Sequence, residues 1–238
     1  MNIILFSHLD AENSLPHLDY RALHIRKILK LGAGGQFLAG ETNGAKGLAT
    51  IISVDKENLL FSFKASESSP PLYPVTLLVA QVRPICMRRI LREAVSLGVA
   101  KIILSGSDTT EKSYADAKLY TNGEYQGILL DGAMQSGETG LSDVVFSSSV
   151  EEAISLTEGS GTRIFLDNVL EAKSLASFSA PTAPVVLAIG GERGFTDRER
   201  ALFLTSGFVP ASLGKRILRT ETACSAGLAV LLGRMDLL

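Results

Sequence analysis

Two glycine-bearing segments near the carboxyl end carry the residue types best suited to chemistry. The first, Leu187–Thr196, is a short apolar run that stops at Gly190, Gly191 and Gly194, with Glu192 and Arg193 between them. The second, Ser212–Ala223, turns at Gly214 and carries Lys215, Arg216 and Arg219 before a Thr220-Glu221 helix start. A strand that runs into glycines and then a helix brings backbone N–H groups and a helix N-terminus against a ligand with no side chain in the way. Thr220 suits a helix cap, and Glu221 the first turn, where the dipole favours a carboxylate. The glycine spacing is not G-x-G-x-x-G, and no Lys-Ser/Thr pair follows, so a dinucleotide or nucleoside triphosphate site has weak support. Each segment alone could be a tight turn or a capped helix with solvated charges. Together, about twenty residues apart and each on the C-terminal side of a strand, they look like two walls of one pocket.

The elements that must position these loops follow from hydrophobic rhythm. Up to about residue 70, short apolar runs dominate: Ile3–Phe6, Gln36–Ala39, Gly47–Val54 and Leu59–Lys64. Asn43-Gly44 between two of them is a hairpin signal, and one helix, Asp19 to Leu31, interrupts them. That is the pattern of a small β-barrel with one helix. Ser66–Pro74 has three prolines in five residues and reads as a linker. Beyond it, strands at Val75–Gln81, Val99–Ser105, Arg163–Asp167, Pro184–Ile189 and Val209–Leu213 alternate with helices at Pro84–Leu97, Thr196–Ser206 and Thr220–Leu232. A helical and loop stretch spans Tyr114 to Gly140. This alternation implies an α/β domain with a parallel sheet covered on both faces.

Of the 238 residues, 46% are hydrophobic, which is enough for a full core. The 23 basic and 25 acidic residues leave a net charge of −2, which disfavours a broadly cationic nucleic-acid binder but allows a local basic face. Cys86 and Cys224 have no second Cys or His at metal spacing, so neither a zinc site nor a disulfide scaffold is expected. The N-terminus lacks a basic signal-peptide start, and no apolar run reaches the ~20 residues that span a bilayer. The chain reads as soluble and cytoplasmic.

The ending Ser212–Ala223 closely resembles the signature of the ribosomal RNA small subunit methyltransferase E family. Ile189–Phe195 resembles that family's other glycine motif, and Glu93–Val99 its helix after the first strand of the catalytic domain. Gln135-Ser136-Gly137 resembles part of its middle motif, and His24–Leu29 its helix in a PUA-like RNA-binding domain. The resemblance covers nearly the whole chain, with the motifs in order. It implies a PUA-like β-barrel over residues 1–70 and a SPOUT α/β methyltransferase domain with a trefoil knot over residues 75–238. It further implies S-adenosyl-L-methionine as methyl donor, N3 of a uridine in 16S ribosomal RNA of the small subunit as target, and a homodimer. No metal and no membrane are expected.

On this resemblance the cofactor would be bound by Leu166, Ile189, Gly190, Gly191, Glu192, Gly194, Leu213, Gly214, Ile217, Leu218 and Thr220. Arg219 and Glu192 are the candidate catalytic residues. Arg21, His24, Arg26 and Lys27, with Lys30 nearby, form a candidate RNA-binding face; Arg83, Arg88, Arg89 and Arg92 form a second basic cluster. Three departures stand out. Gly191-Glu192-Arg193 replaces the usual Pro-Glu-Gly, Glu138 stands where Arg is usual, and Gly35 where Asp is usual. They leave open an alternative, a non-catalytic RNA-binding or ribosome-assembly protein that retained the fold. A nucleotide-dependent α/β enzyme is a third reading.

Overall fold

The computed structural model describes residues 2–238, which form two compact units. One comprises residues up to Pro71 together with the returning segment Ala133–Leu141. Its strands are β1 (Ile4–Phe6), β2 (Glu12–Pro16), β3 (Gln36–Glu41), β4 (Lys46–Val54) and β5 (Asn58–Glu67). They form one five-stranded sheet in the order β1-β3-β4-β5-β2, parallel only between β1 and β3. The Asn43-Gly44 turn joins β3 to β4, with Asn43 at φ 58°. Strand β2 was not anticipated, because Glu12-Asn13-Ser14 is polar and buries only Leu15. The core of this unit includes Phe6, Phe37, Ile51, Leu59 and Phe61.

The expected helix at Asp19–Leu31 is instead a short α-helix, α1 (Tyr20–Leu23), continued by a π-helical stretch, His24–Ile28. Asp19 caps it by accepting from the Arg21 backbone N–H. The Leu29 N–H donates to the His24 carbonyl five residues back, and Lys30 leaves at φ 56°. A Cβ at Gly35 would lie 2.9 Å from the Gly32 carbonyl oxygen and 3.1 Å from the Leu31 Cβ. A side chain at position 35 would therefore require this turn to shift.

The other unit spans Leu72–Gly132 and Ser142–Leu238. In chain order its elements are β6 (Tyr73–Ala80), α2 (Pro84–Ser96), β7 (Val99–Ser105), α3 (Lys118–Thr121), α4 (Glu124–Ser136, whose last turn belongs to the first unit), β8 (Asp143–Ser147), α5 (Val150–Ser155), β9 (Thr162–Leu166), β10 (Lys173–Ser174), β11 (Val185–Ile189), α6 (Asp197–Thr205), β12 (Val209–Ser212) and α7 (Thr220–Arg234). The seven strands are all parallel, in the order β10-β12-β9-β11-β6-β7-β8. The proline-rich segment is shorter than expected. Strand β5 runs to Glu67 and β6 starts at Tyr73, so Pro74 lies inside a strand, at a register shift near its start where a missing N–H is tolerated.

Alternation along β11 shows why both faces of the sheet are dry. Val186 and Ala188 pack with Val150, Ala153, Phe195 and Phe203, on the side of α5 and α6. Leu187 and Ile189 point the other way, toward α7, where Gly227 lets the helix approach: a Cβ there would sit 2.9 Å from Leu166 Cδ1 and 3.2 Å from Leu187 Cδ2. Helix α2 starts with Pro84, whose missing N–H costs nothing at that position. It ends before Gly98 at φ 76°, the left-handed residue that commonly stops a helix.

Candidate active site

The C-terminal ends of β9, β11 and β12 lie side by side, since β9 pairs with both β11 and β12. In an open parallel sheet that is where ligands bind. The loop leaving β11 is fixed from below. Phe195, directly after Gly194, is buried and packs on Phe203 with ring centroids 4.6 Å apart. Thr196 and Glu199 then form a capping box at the start of α6. Buried Glu199 also accepts from the Asp108 backbone N–H at 2.9 Å, and Asp108 takes hydrogen bonds from Thr196 Oγ1 (2.7 Å) and from Arg198. Those bonds, Arg198 first and Thr196 second, hold the Asp108 carboxyl below the ordinary carboxylate range. Within the loop a Cβ on Gly190 would lie 2.8–3.0 Å from backbone atoms of Gly194 and Phe195. The turn closes on itself only because position 190 is glycine.

The loop leaving β12 turns at Gly214, φ 105°, and reaches α7 through Arg219, the residue preceding the helix. Thr220 Oγ1 donates to the Gly190 carbonyl at 3.4 Å, so the two loops touch. The sequence expectation gave Thr220 a capping role; the structure instead places Arg219 at the N-cap and shows no side-chain capping bond.

Between the loops lies a cavity of about 300 Å³. Leu166, Ile189, Gly190, Gly191, Glu192, Gly194, Leu213, Gly214, Ile217, Leu218 and Thr220 all line it. Arg219 does not, and its side chain is exposed with no hydrogen bond or ion pair among the described residues. Sequence reasoning missed Asp167, Asn168, Arg193, Arg216 and Ala223 as lining residues. For Asp167, Asn168 and Ala223 the position after a strand's C-terminal end, or one turn into the following helix, was the available signal; for Arg193 and Arg216 it was their place inside the two glycine loops. Asp167 is held by the buried Arg200, whose Nε donates at 2.8 Å, and by the backbone N–H groups of Val169 and Leu170. The N–H groups of Gly191, Gly214, Ile217 and Leu218 donate to no group among the described residues, so they are free for a ligand.

Glu192 stands on the cavity wall, but its carboxylate is not free. Arg83 Nε donates to Oε1 at 2.6 Å, and the Tyr114 hydroxyl reaches Oε2 at 3.5 Å. Partial desolvation, then the Glu192 charge, push the Tyr114 phenol above its usual value, which keeps it a neutral donor. A smaller cavity, lined by Gln81, Thr109, Thr110, Glu111, Tyr114, Gly191, Glu192 and Arg193, shares the Gly191–Arg193 wall.

The expected basic faces are partly consumed internally. Arg21 forms a two-pronged ion pair with Asp19 and stacks over Phe6 at 4.7 Å. Arg26 donates to His17 through both terminal nitrogens. Burial lowers the His24 pKa and so favours the neutral ring. Lys27 and Lys30 remain exposed. In the second cluster Arg83 pairs with Glu192 and Arg88 with Glu124, which leaves Arg89 and Arg92 facing solvent. Glu138 pairs with Lys46 at 2.8 Å within the first unit. Among the described residues no His, Cys, Asp or Glu group could hold a metal ion, and no helix is long and apolar enough to cross a membrane.

Comparison with known proteins places this geometry in context. A family profile described as an RNA methyltransferase domain matches residues 68–232. The chain is 37% identical to the ribosomal RNA small subunit methyltransferase E of Treponema pallidum, over 98% of this chain and 91% of the relative. It is 33% identical to ribosomal RNA small subunit methyltransferase E 1 of Borreliella burgdorferi, over 95% of each. Its fold matches the crystal structure of a ribosomal RNA small subunit methyltransferase E from Neisseria gonorrhoeae bound to S-adenosyl methionine. That match has a TM-score of 0.80 at 22% identity and covers 98% of this chain and 97% of the other.

Proposed function

The chain belongs to the ribosomal RNA small subunit methyltransferase E family, and on that premise we propose that it methylates N3 of a uridine in 16S ribosomal RNA, using S-adenosyl-L-methionine. One observation carries the reading. Residues from three chain segments, at Leu166, Ile189–Gly194 and Leu213–Thr220, converge on a single open cavity. A protein that kept this fold for RNA binding alone would tolerate an occluded slot; this one is open.

The lining fits such a donor. Leu166, Ile189, Leu218 and Ala223 supply apolar walls for a flat adenine, and the unbonded amides of Gly191, Gly214, Ile217 and Leu218 supply hydrogen bonds for its polar edges. When bound, S-adenosylmethionine supplies a sulfonium methyl group that N3 takes in an in-line displacement. The protein's own task is to hold the ring and manage the N3 proton, since a protonated imide is a poor nucleophile. Glu192, with Oε1 fixed by Arg83 and Oε2 within 3.5 Å of the Tyr114 hydroxyl, offers Oε2 as the proton acceptor or ring anchor. Arg219, exposed beside the mouth, stabilises negative charge on the ring oxygens or holds a flanking phosphate.

In this reading residues 1–70 form a PUA-like RNA-binding barrel, and residues 75–238 form the SPOUT domain with its carboxyl end passed through a trefoil knot. The separate core of the first unit and the exposed Lys27 and Lys30 support an RNA-binding role. Exposed Ile85, Val169 and Ile217 on the second unit leave apolar surface for a second copy in a homodimer. The enzyme works in the cytoplasm, where its ribosomal substrate is made. The test is tritium transfer from labelled cofactor to small-subunit particles that lack the modification, with mapping of the labelled base. Label on N3 of a single uridine is expected; label on another atom, or none, contradicts the proposal.

A further inference from the structure

The smaller cavity next to the cofactor slot carries polar groups, Gln81 and Arg193 among them, that the reaction, as described so far, does not use. Gln81, at the end of β6, is 7% exposed, yet its carboxamide forms no hydrogen bond among the described residues. Its backbone is fixed on both sides: its N–H donates to the Ser105 carbonyl at 2.8 Å, and its carbonyl accepts from Thr110 Oγ1 at 3.2 Å. The carboxamide atoms are not sealed from solvent, so this unbonded amide, on an otherwise buried residue whose backbone is fixed, is available to a ligand in the cavity. Arg193 lines both cavities, is exposed, and has no partner among the described residues. Between them in the shared wall stands Glu192, held by Arg83 and Tyr114. The cavity's volume of about 50 Å³ suits the edge of one flat ring rather than a whole nucleotide.

We propose that this second cavity receives the O2–N3–O4 edge of the target uracil, with the Gln81 carboxamide NH2 and the Arg193 guanidinium donating to its two carbonyl oxygens. The proposal rests on the uridine-N3 reading above and deepens it by naming the base pocket. The chemistry follows from where the charge goes. When N3 loses its proton, the negative charge spreads over N3 and both flanking oxygens. A donor on each oxygen stabilises that anion more than the neutral ring and so favours the nucleophilic form. Cytosine carries an amino group in place of O4 and would set N–H against N–H at one of the two donors. The same pair of residues therefore selects the base.

The experiment compares Gln81→Leu, Gln81→Glu and Arg193→Gly with the parent enzyme on small-subunit particles that lack the modification. Cofactor affinity is read by calorimetry, and turnover is read across pH. We expect the Gln81 variants to bind S-adenosylmethionine within about threefold of the parent, which also reports an intact fold. Turnover should fall about 10²-fold for the Gln81 variants and less for Arg193→Gly. Raising the pH should restore part of that loss, because hydroxide then does what the two donors did. Turnover that falls only in step with cofactor affinity, or a loss that pH does not relieve, overturns the base pocket. An active parent whose variants all match it overturns the pocket and leaves the reaction standing. A parent that labels no uridine overturns both.

Discussion

At the scale of single residues, the separation between lining and exposed groups assigns roles. Arg219 stands at the N-cap of α7, outside the cavity lining, and its side chain has no partner among the described residues. Its loss should therefore spare the cofactor slot. Arg219→Ala is expected to lower turnover about 10²–10³-fold while cofactor affinity stays within about threefold. Steady-state kinetics set beside calorimetry check this, and equal losses in both would move Arg219 into the cofactor site. Gly190 and Gly191 look alike in sequence but differ in space. A Cβ on Gly190 runs into backbone, whereas one on Gly191 meets nothing closer than 3.6 Å. Of the two, only the first must be glycine for the turn to close; position 191 has room for a side chain. The sequence showed which residues would meet, because strand-loop-helix spacing sets that. It could not show that Asp19 and His17 tie up Arg21 and Arg26, since those partners come from turn and helix geometry that charge counting does not see.

At the scale of elements, the two loops are only as well placed as the helices behind them. At Gly227 helix α7 lies close against the sheet, where an added Cβ would meet Leu166, itself a lining residue. Gly227→Leu should lower stability by roughly 1–3 kcal/mol through overpacking and weaken cofactor binding through Leu166. Denaturant unfolding and calorimetry measure the two effects, and an unchanged midpoint would contradict the packing described. The Asp108–Arg198–Thr196 network ties the segment after β7 to the start of α6. Because the folded Asp108 carboxyl is held below its ordinary value of 3.8, its stabilisation is complete well above that value and disappears as pH falls through the folded value. Asp108→Asn should then lower the thermal midpoint by a constant amount near neutrality, and the gap should close below about pH 4. A gap that widens in acid would reverse the sign. Elements with strong rhythm were legible: β6, α2, β7, β11 and α7 fall within a few residues of expectation. Strand β8 and helix α5 were not, because Asp143–Ser147 is short and bounded by serines. The Ser149-x-x-Glu152 helix start is the signal the sequence carries for α5; Ser149 caps it by accepting from the Glu152 N–H.

At the scale of the whole molecule, the chain divides differently from a simple cut near residue 70. Segment Ala133–Leu141 belongs to the first unit. Its Thr139 hydroxyl donates to the Gly44 carbonyl at 2.7 Å, and the Leu141 N–H donates to Asn43 Oδ1 at 2.8 Å. Nothing in the local pattern of residues 133–141 announces such a return, because long-range pairing leaves no periodicity. Removing residues 1–70 would strip that segment of its partners, so the RNA role of the first unit is better tested by point changes. Lys27→Ala should weaken RNA binding about equally for all sequences and reduce the salt slope of log affinity by about 1. Filter binding across salt concentrations measures it, and an unchanged slope would remove Lys27 from the RNA face.

The most direct measurement is calorimetric titration of S-adenosylmethionine into the parent chain and into Gly190→Val. If the two glycine loops form the donor's slot, the parent binds at micromolar concentration, roughly −8 kcal/mol. The variant, whose added carbons collide with the backbone of Gly194 and Phe195, unfolds cooperatively but shows no binding heat. No heat from the parent, or equal affinity in parent and variant, would contradict the account.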